Sequence, residues 1–247
     1  MKRFLDCLKP VLPGVVAKWF FEKGRVENFG GRSAREIFRD IYHLNAWGSA
    51  ESRSGSGSTL AYTAKLRKEL PEFLKIHDVR SMVDIPCGDF NWMRRVDLSC
   101  SHYTGLDVVP EIVANNQKKF GGPSRTFDLC DILSEKPPQA DLIFCRDLLI
   151  HFSYREALAA LRNMVASGSS WLLTTTYRQG RNRPEPTGGF YRINLEQAPF
   201  SLSEPEAILA DGAGKGAPNG RILGLWNLGD MNLEGLERWI RERQSPS

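Results

Sequence analysis

Four acidic residues stand where short apolar runs end. Asp84 closes the first run, Ser81–Ile85, within Asp84-Ile-Pro-Cys87-Gly88-Asp89-Phe-Asn-Trp92. Asp107 ends Tyr103–Asp107, 23 residues after Asp84, and Asp131 follows Arg125–Leu129. Asp147 follows Asp141–Cys145 in the stretch Cys145-Arg-Asp-Leu-Leu-Ile-His151. In an open parallel sheet, ligands bind beyond the carboxyl ends of the strands, so these positions face whatever the protein holds. A carboxylate at the second strand end can accept hydrogen bonds from both hydroxyls of a ribose. One just past the third strand can accept from the exocyclic amine of a base, with Asp128 as the alternative. The first loop has only Gly88 where a dinucleotide site needs G-x-G-x-x-G, and Asp84 and Asp89 would repel a pyrophosphate. The pattern G-x-x-x-x-G-K-[ST] is absent from the chain, which with the acidic loop excludes NAD and ATP. His151 is a candidate general base, since its ordinary pKa lies near neutrality, and Asp147 lies one helical turn before it. The alternative is that His151 packs at the start of the next helix.

The elements that must position these residues are legible from periodicity. Ser33-Ala-Arg-Glu36 is a capping box that opens a helix with Ile37, Phe38, Ile41, Tyr42 and Leu44 on its apolar face. Glu51-Ser-Arg-Ser-Gly-Ser-Gly-Ser58 has the composition of a flexible linker. A second helix is expected from Thr59 to about Leu74, bent or ended by Pro71. From Arg80 onward, short β-rich runs alternate with helices over 110–120 and 153–167, the second opened by the capping box Ser153-Tyr-Arg-Glu156. Trp171–Thr176 is the fifth strand. Glu206–Ala210 and Arg221–Leu228 form a terminal antiparallel pair joined by a Gly-rich turn at 211–220, and Leu233–Arg243 is a short amphipathic helix. The expected fold is therefore α/β: a Rossmann-like, seven-stranded, mostly parallel sheet with helices on both faces and an N-terminal helical lid. Residues 1–76 would be the helical extension and lid, and 77–247 the ligand-binding domain.

The 247 residues carry 33 basic and 29 acidic side chains, a net charge of +4, which is too balanced to argue for nucleic acid. A composition of 41% hydrophobic and 25% charged residues excludes a disordered polymer or a fibre. Five cysteines, an odd number without a C-x-x-C pair, and four scattered histidines give no zinc spacing, so no metal is expected. Reduced, buried thiols are expected instead. Val11–Phe21 is interrupted by Pro13-Gly14 and Lys18, so neither a transmembrane segment nor a signal peptide is expected, and a cytoplasmic location follows as the expectation.

Asp84-x-x-Cys87-Gly88, Asp107, Asp131 and Asp141-Leu-Ile-Phe-Cys-Arg-Asp-Leu-Leu-Ile-His151-Phe resemble the motifs of class I S-adenosylmethionine-dependent methyltransferases, from about Arg80 to Leu228. Cys87-Gly-Asp-Phe-Asn-Trp-Met93 is similar to a bacterial subgroup, which also carries an upstream stretch matched by Trp47-Gly48, Glu51-Ser52 and Ser54–Ser58. Pro86 and Phe90 depart from it, standing where the family's loop has glycines. The cofactor fits the residue chemistry, since S-adenosylmethionine combines a ribose, an adenine and a positively charged tail. The resemblance implies that Asp84 and Gly88, beside Cys87, hold the methionine moiety and that Asp107 holds the ribose. Asp131 with Ile132 would frame the adenine, and Cys145 would pass close by. It also turns the 49–58 linker into a lid, with Gly55 and Gly57 allowing close backbone approach, and with Trp47 and Tyr42 shielding the sulfonium.

The loop 178–205 breaks the rhythm of the sheet, as functional loops do. Arg178, Arg181 and Arg183 leave the fifth strand beside the expected acceptor site, where they would bind an acidic acceptor or RNA, or stand in solvent. Tyr191 is assigned to the substrate, and Pro199, Phe200 and Trp226 to its wall. The leading expectation is O-methylation of a sugar, glycan or other small molecule. An RNA methyltransferase and a non-catalytic methyltransferase-like binding module are the alternatives, with nucleic acid not favoured. Oligomeric state is not readable.

Overall fold

A computed structural model describes residues 31–98, 101–183, 186–212 and 220–243. The first 30 residues, with Cys7, most of the Gly-rich turn, and Cys100 lie outside them. Helix α1 (Ala34–Leu44) begins at the expected capping box: Ser33 Oγ accepts from the Glu36 N–H while the Glu36 carboxylate accepts from the Ser33 N–H. Ile37 and Ile41 are buried, whereas Leu44, expected on the same face, is exposed. Helix α2 (Ala64–Ile76) starts five residues later than expected and runs through Pro71 rather than ending there. Thr59–Thr63 are instead turns, where Thr59 Oγ1 accepts from the Tyr62 N–H.

The sheet follows as β1 (Ser81–Asp84), β2 (His102–Asp107), β3 (Arg125–Leu129), β4 (Leu142–Cys145), β5 (Trp171–Tyr177), β6 (Ala207–Ala210) and β7 (Arg221–Asn227). Helices α3 (Pro110–Phe120), α4 (Tyr154–Ala166) and α5 (Glu234–Glu242) complete the described elements. The strand order is β3-β2-β1-β4-β5-β7-β6; β7 alone runs against its neighbours, so the sheet is mostly parallel as expected. Strand residues alternate between two cores. Val83, Ile143 and Leu172 pack with Leu158 and Leu161 of α4 and Leu236 of α5, while Met82, Phe144 and Leu173 pack with Leu66 and Leu70 of α2 and Ile112 of α3. Helices thus cover both faces, which the unbroken apolar runs of buried parallel strands require. Because β1 connects outward to β2 while β4 lies on its other side, the chain leaves a crevice at the carboxyl ends of β1 and β4.

Among the described residues, no helix is long and apolar enough to cross a membrane. Cys87, Cys130 and Cys145 are buried and free.

Candidate cofactor and acceptor site

A cavity of about 390 Å³ lies above that crevice. Its floor holds two of the expected acids. Asp84 is buried and accepts a hydrogen bond from the Tyr103 hydroxyl at 2.6 Å. Burial outweighs that bond and, with Asp107 nearby, pushes the Asp84 carboxyl up to about 7. Asp107 Oδ2 accepts from the Gly88 N–H at 3.1 Å and Oδ1 from the Val109 N–H at 3.0 Å, yet burial still raises it to about 6. Two buried acids that ionise reluctantly gain most from a cationic ligand.

The loop after β1 closes this floor. Gly88 has φ +54°, and a Cβ there would stand 2.2 Å from Ser54 Oγ, so only glycine lets the loop and residue 54 approach. Phe90, where the family has glycine, takes φ +56° and buries its ring against Tyr103, Phe120 and Phe127. Aromatic packing thus holds a conformation that glycine would otherwise supply.

The 49–58 segment is an ordered strap over the cavity, with a single 3-10 turn at Ser56–Ser58. The Asp89 carboxylate accepts from the Arg53 N–H at 2.7 Å and from Ser52 Oγ at 3.0 Å. Asn91 Nδ2 donates to Glu51 Oε1 at 2.7 Å and to the Ser58 carbonyl. The acids and amides of the first loop therefore fasten the strap. Gly55 has φ +92°, and a Cβ there would lie 3.3 Å from Trp47 Cβ, so its close approach is to the Trp47 side chain. Trp47 and Tyr42 both line the cavity.

At the opposite end, His151 ends a 3-10 turn (Leu149–His151) and its ring lines the cavity. Its Nδ1 lies 2.6 Å from the Gly189 carbonyl, which can only accept, so the proton sits on Nδ1 and Nε2 is the basic nitrogen. Trp47 stacks on the ring at 5.2 Å and 28°. Burial holds His151 below the ordinary histidine range, which keeps it neutral.

Asp147 is a different matter. Its Oδ2 accepts from Arg221 Nη2 at 2.8 Å and pairs with Arg146 Nη1 at 3.4 Å. Burial raises its pKa, but the two guanidiniums outweigh that and bring it down to about 2. A carboxylate so stabilised is a poor proton acceptor, and Asp147 is instead part of a buried ion cluster. Asp211, fully buried, completes the cluster, accepting from Arg146 Nε and Nη2 at 3.0 Å each and from Arg221 Nη2 at 2.6 Å.

Several expected site residues lie elsewhere. Cys145 is fully buried, its pKa is pushed up to about 12 by that burial, and it does not line the cavity. Asp131 and Ile132 line a separate recess of about 30 Å³ that reaches Asp107, roofed by Ala34 and Phe38 of α1. The Asp131 carboxylate caps its own turn through the Leu133 N–H. Arg178 pairs with Glu196 and Glu204 outside the cavity, and Arg181 is exposed. Tyr191 is buried against Tyr154, and Phe200 and Trp226 are in the core; its neighbour Phe190 lines the cavity instead. Cys87 and Gly88 line the cavity as expected.

The sequence reading missed Arg146, Asp211 and Arg221, along with Tyr62 and Trp92, whose rings lie under the Arg146 guanidinium at 5.9 and 5.5 Å. Only the position of Arg146, directly after β4, was a usable signal.

No family model matches the sequence, and no curated protein is similar to it. Solved structures do match. PigF with SAH superposes with a TM-score of 0.57 at 16% identity, covering 91% of this chain and 72% of that one. The mitomycin 7-O-methyltransferase MmcR gives 0.55 at 18% identity, covering 80% and 61%. The pyocyanin biosynthetic protein PhzM gives 0.51 at 15%, covering 67% and 55%, so the chain spans little more than half of that protein's length. At these identities the likeness is one of fold: the chain has the Rossmann-like fold of S-adenosylmethionine-dependent methyltransferases.

Proposed function

We propose that this chain is an S-adenosylmethionine-dependent methyltransferase that methylates a hydroxyl of a sugar, glycan or other small molecule. The observation that carries this reading is the cavity itself. It joins two buried acids whose pKa values are raised, Asp84 and Asp107, to a neutral histidine with an available Nε2 at its other end. PigF was solved with SAH and MmcR is an O-methyltransferase, which supports carrying both cofactor and reaction type to this fold.

In this reading Asp107 accepts from the ribose hydroxyls, Asp84 faces the methionine ammonium, and the Asp131–Ile132 recess takes the adenine edge. Bound S-adenosylmethionine supplies an electrophilic methyl group. The chain contributes orientation and exclusion of water by the strap and Trp47, up to roughly 7–11 kcal/mol in well-aligned systems. His151 Nε2 takes the proton of the acceptor hydroxyl, a contribution of about 10²–10⁴-fold. Residues 1–76 act as extension and lid, and 77–247 as the catalytic domain.

Calorimetry with S-adenosylmethionine tests the first half, with saturable binding expected; no binding sinks the enzyme reading. Uptake of labelled methyl from the cofactor by size-fractionated lysate tests the second. Label in the small-molecule or glycan fraction is expected, and label confined to RNA refutes the acceptor class.

A further inference from the structure

Phe190 is the one aromatic among the large apolar side chains left exposed in the described residues, with 56% of its surface open. Its position is not casual. It lines the cavity, its ring lies 6.1 Å from the His151 ring and 6.4 Å from that of Tyr177, and it belongs to the loop whose Gly189 carbonyl fixes His151. An exposed aromatic at the mouth of an aromatic-lined cavity marks a surface that a ligand covers. Trp47, stacked on His151, and Tyr62 line the same space.

The charges of this wall are already matched. Arg146 and Arg221 have side chains only 4% and 7% exposed, and both are paired to Asp147 and Asp211. Two cations face two carboxylates, and Asp147 stays ionised because its pKa is held at about 2. At this pair of arginines an incoming anion would meet no uncompensated cation; Arg53, at the strap, also lines the cavity and donates to the Tyr42 and His43 carbonyls. The loop arginines do not change this, since Arg178 is bridged to Glu196 and Glu204 and neither Arg178 nor Arg181 lines the cavity. What the wall does offer is hydrogen-bond donors within a charge-balanced cluster. Arg146 Nη1 makes no hydrogen bond among the described residues, and the Tyr177 hydroxyl, accepting from Arg221 Nη1 at 3.3 Å, keeps its own proton to donate.

Building on the methyltransferase reading, we propose that the methyl acceptor is an uncharged, ring-shaped hydroxy compound that packs one ring face on Phe190 and presents a hydroxyl to His151 Nε2. The shared chemistry is a flat apolar ring face bearing a hydroxyl, and both a sugar and a phenol have it. The neighbouring polar atoms of the ring meet Arg146 Nη1 and the Tyr177 hydroxyl. The charge balance of the Arg146–Arg221 wall favours such a compound over an acidic one.

The test uses the full chain saturated with S-adenosylhomocysteine, whose binding is titrated first. Saturation-transfer NMR then compares methyl β-glucopyranoside and phenol with their carboxylate counterparts, methyl β-glucuronide and 4-hydroxybenzoate. At least one uncharged probe is expected to bind, with its carboxylate counterpart at least fivefold weaker. Phe190→Ala is expected to raise that probe's Kd at least fivefold, whereas Ile76→Ala, which removes another exposed apolar side chain far along α2, leaves it unchanged. Binding of the glucoside alone assigns a sugar, and of phenol alone an aromatic alcohol. A carboxylate probe that binds as tightly as its uncharged partner overturns the proposal, as do binding indifferent to Phe190 and no binding of either uncharged probe. Failure of S-adenosylhomocysteine itself to bind overturns the methyltransferase reading, and is seen separately in the first titration.

Discussion

At the scale of single residues, the floor acids set the pH dependence. Asp84 is raised to about 7 in the folded chain, against an ordinary value of 3.8, so the folded state holds a proton that the unfolded state releases. Its contribution is favourable while both states are protonated and is lost as pH rises from about 4 through about 7, by up to about 4 kcal/mol before relaxation. Asp84→Asn is therefore expected to raise the Tm of the empty protein at pH 8 more than at pH 5, by scanning calorimetry. A cationic ligand needs the ionised form, so affinity for S-adenosylmethionine should rise with pH up to about 7 and flatten above. Equal affinity at pH 5.5 and 8 would remove Asp84 from the site. Asp107→Asn halves the acceptor capacity of a group already serving two N–H donors. Losing one charged hydrogen bond to the cofactor, worth about 1.5–3 kcal/mol, predicts cofactor binding weaker by about 10- to 150-fold by calorimetry. His151→Gln should slow turnover about 10²–10⁴-fold with little change in cofactor affinity, once an acceptor is in hand.

At the scale of elements, the strap and α1 are the parts the cofactor must negotiate. The recess beside Asp131 holds about 30 Å³, space for a water or two, under a roof of Ala34 and Phe38. An adenine can occupy it only if α1 shifts. Hydrogen exchange over residues 34–63 should therefore change on S-adenosylhomocysteine binding, while β1–β4 stay as protected as before. Gly88→Ala, which sets a Cβ against Ser54 Oγ and strains a positive φ, should loosen the strap and weaken cofactor binding while costing about 1–2 kcal/mol of stability. The strands and helices were readable within a few residues because apolar periodicity and capping boxes are local signals. The floor acids were readable for the same reason, each ending a strand. The strap was readable only through the family resemblance, because Ser-Gly composition by itself resembles a linker until Asp89 and Asn91 are seen to hold it. Tyr191 and Phe190 differ by one position, and only the pinned backbone decides which of them faces the cavity.

At the scale of the whole molecule, the Arg146–Asp211–Arg221–Asp147 cluster ties the β4 end to the β6–β7 pair. Asp211 is 65 residues from Arg146 and 10 from Arg221, so only the sheet order brings them together, which is why no local motif revealed them. Removing one partner of a buried ion group costs about 3–5 kcal/mol. For a chain of this size each kcal/mol lowers Tm by about 2–4 °C, so Asp211→Asn should lose about 6–20 °C in a thermal melt. A smaller loss would mean that the cluster is solvated rather than sealed. The loop at 186–191 shows the opposite economy. Its grip on His151 and its neighbour uses the loop's main-chain atoms alone: the Gly188 N–H on the His151 carbonyl, the Tyr191 N–H on the Ile150 carbonyl, and the Gly189 carbonyl under His151 Nδ1. The side chain at 190 takes no part in any of them. On the proposed acceptor reading, a substitution there would exchange one acceptor preference for another while the backbone contacts to His151 stay set, which would make position 190 a place where descendants of this chain diverge in substrate by a single codon.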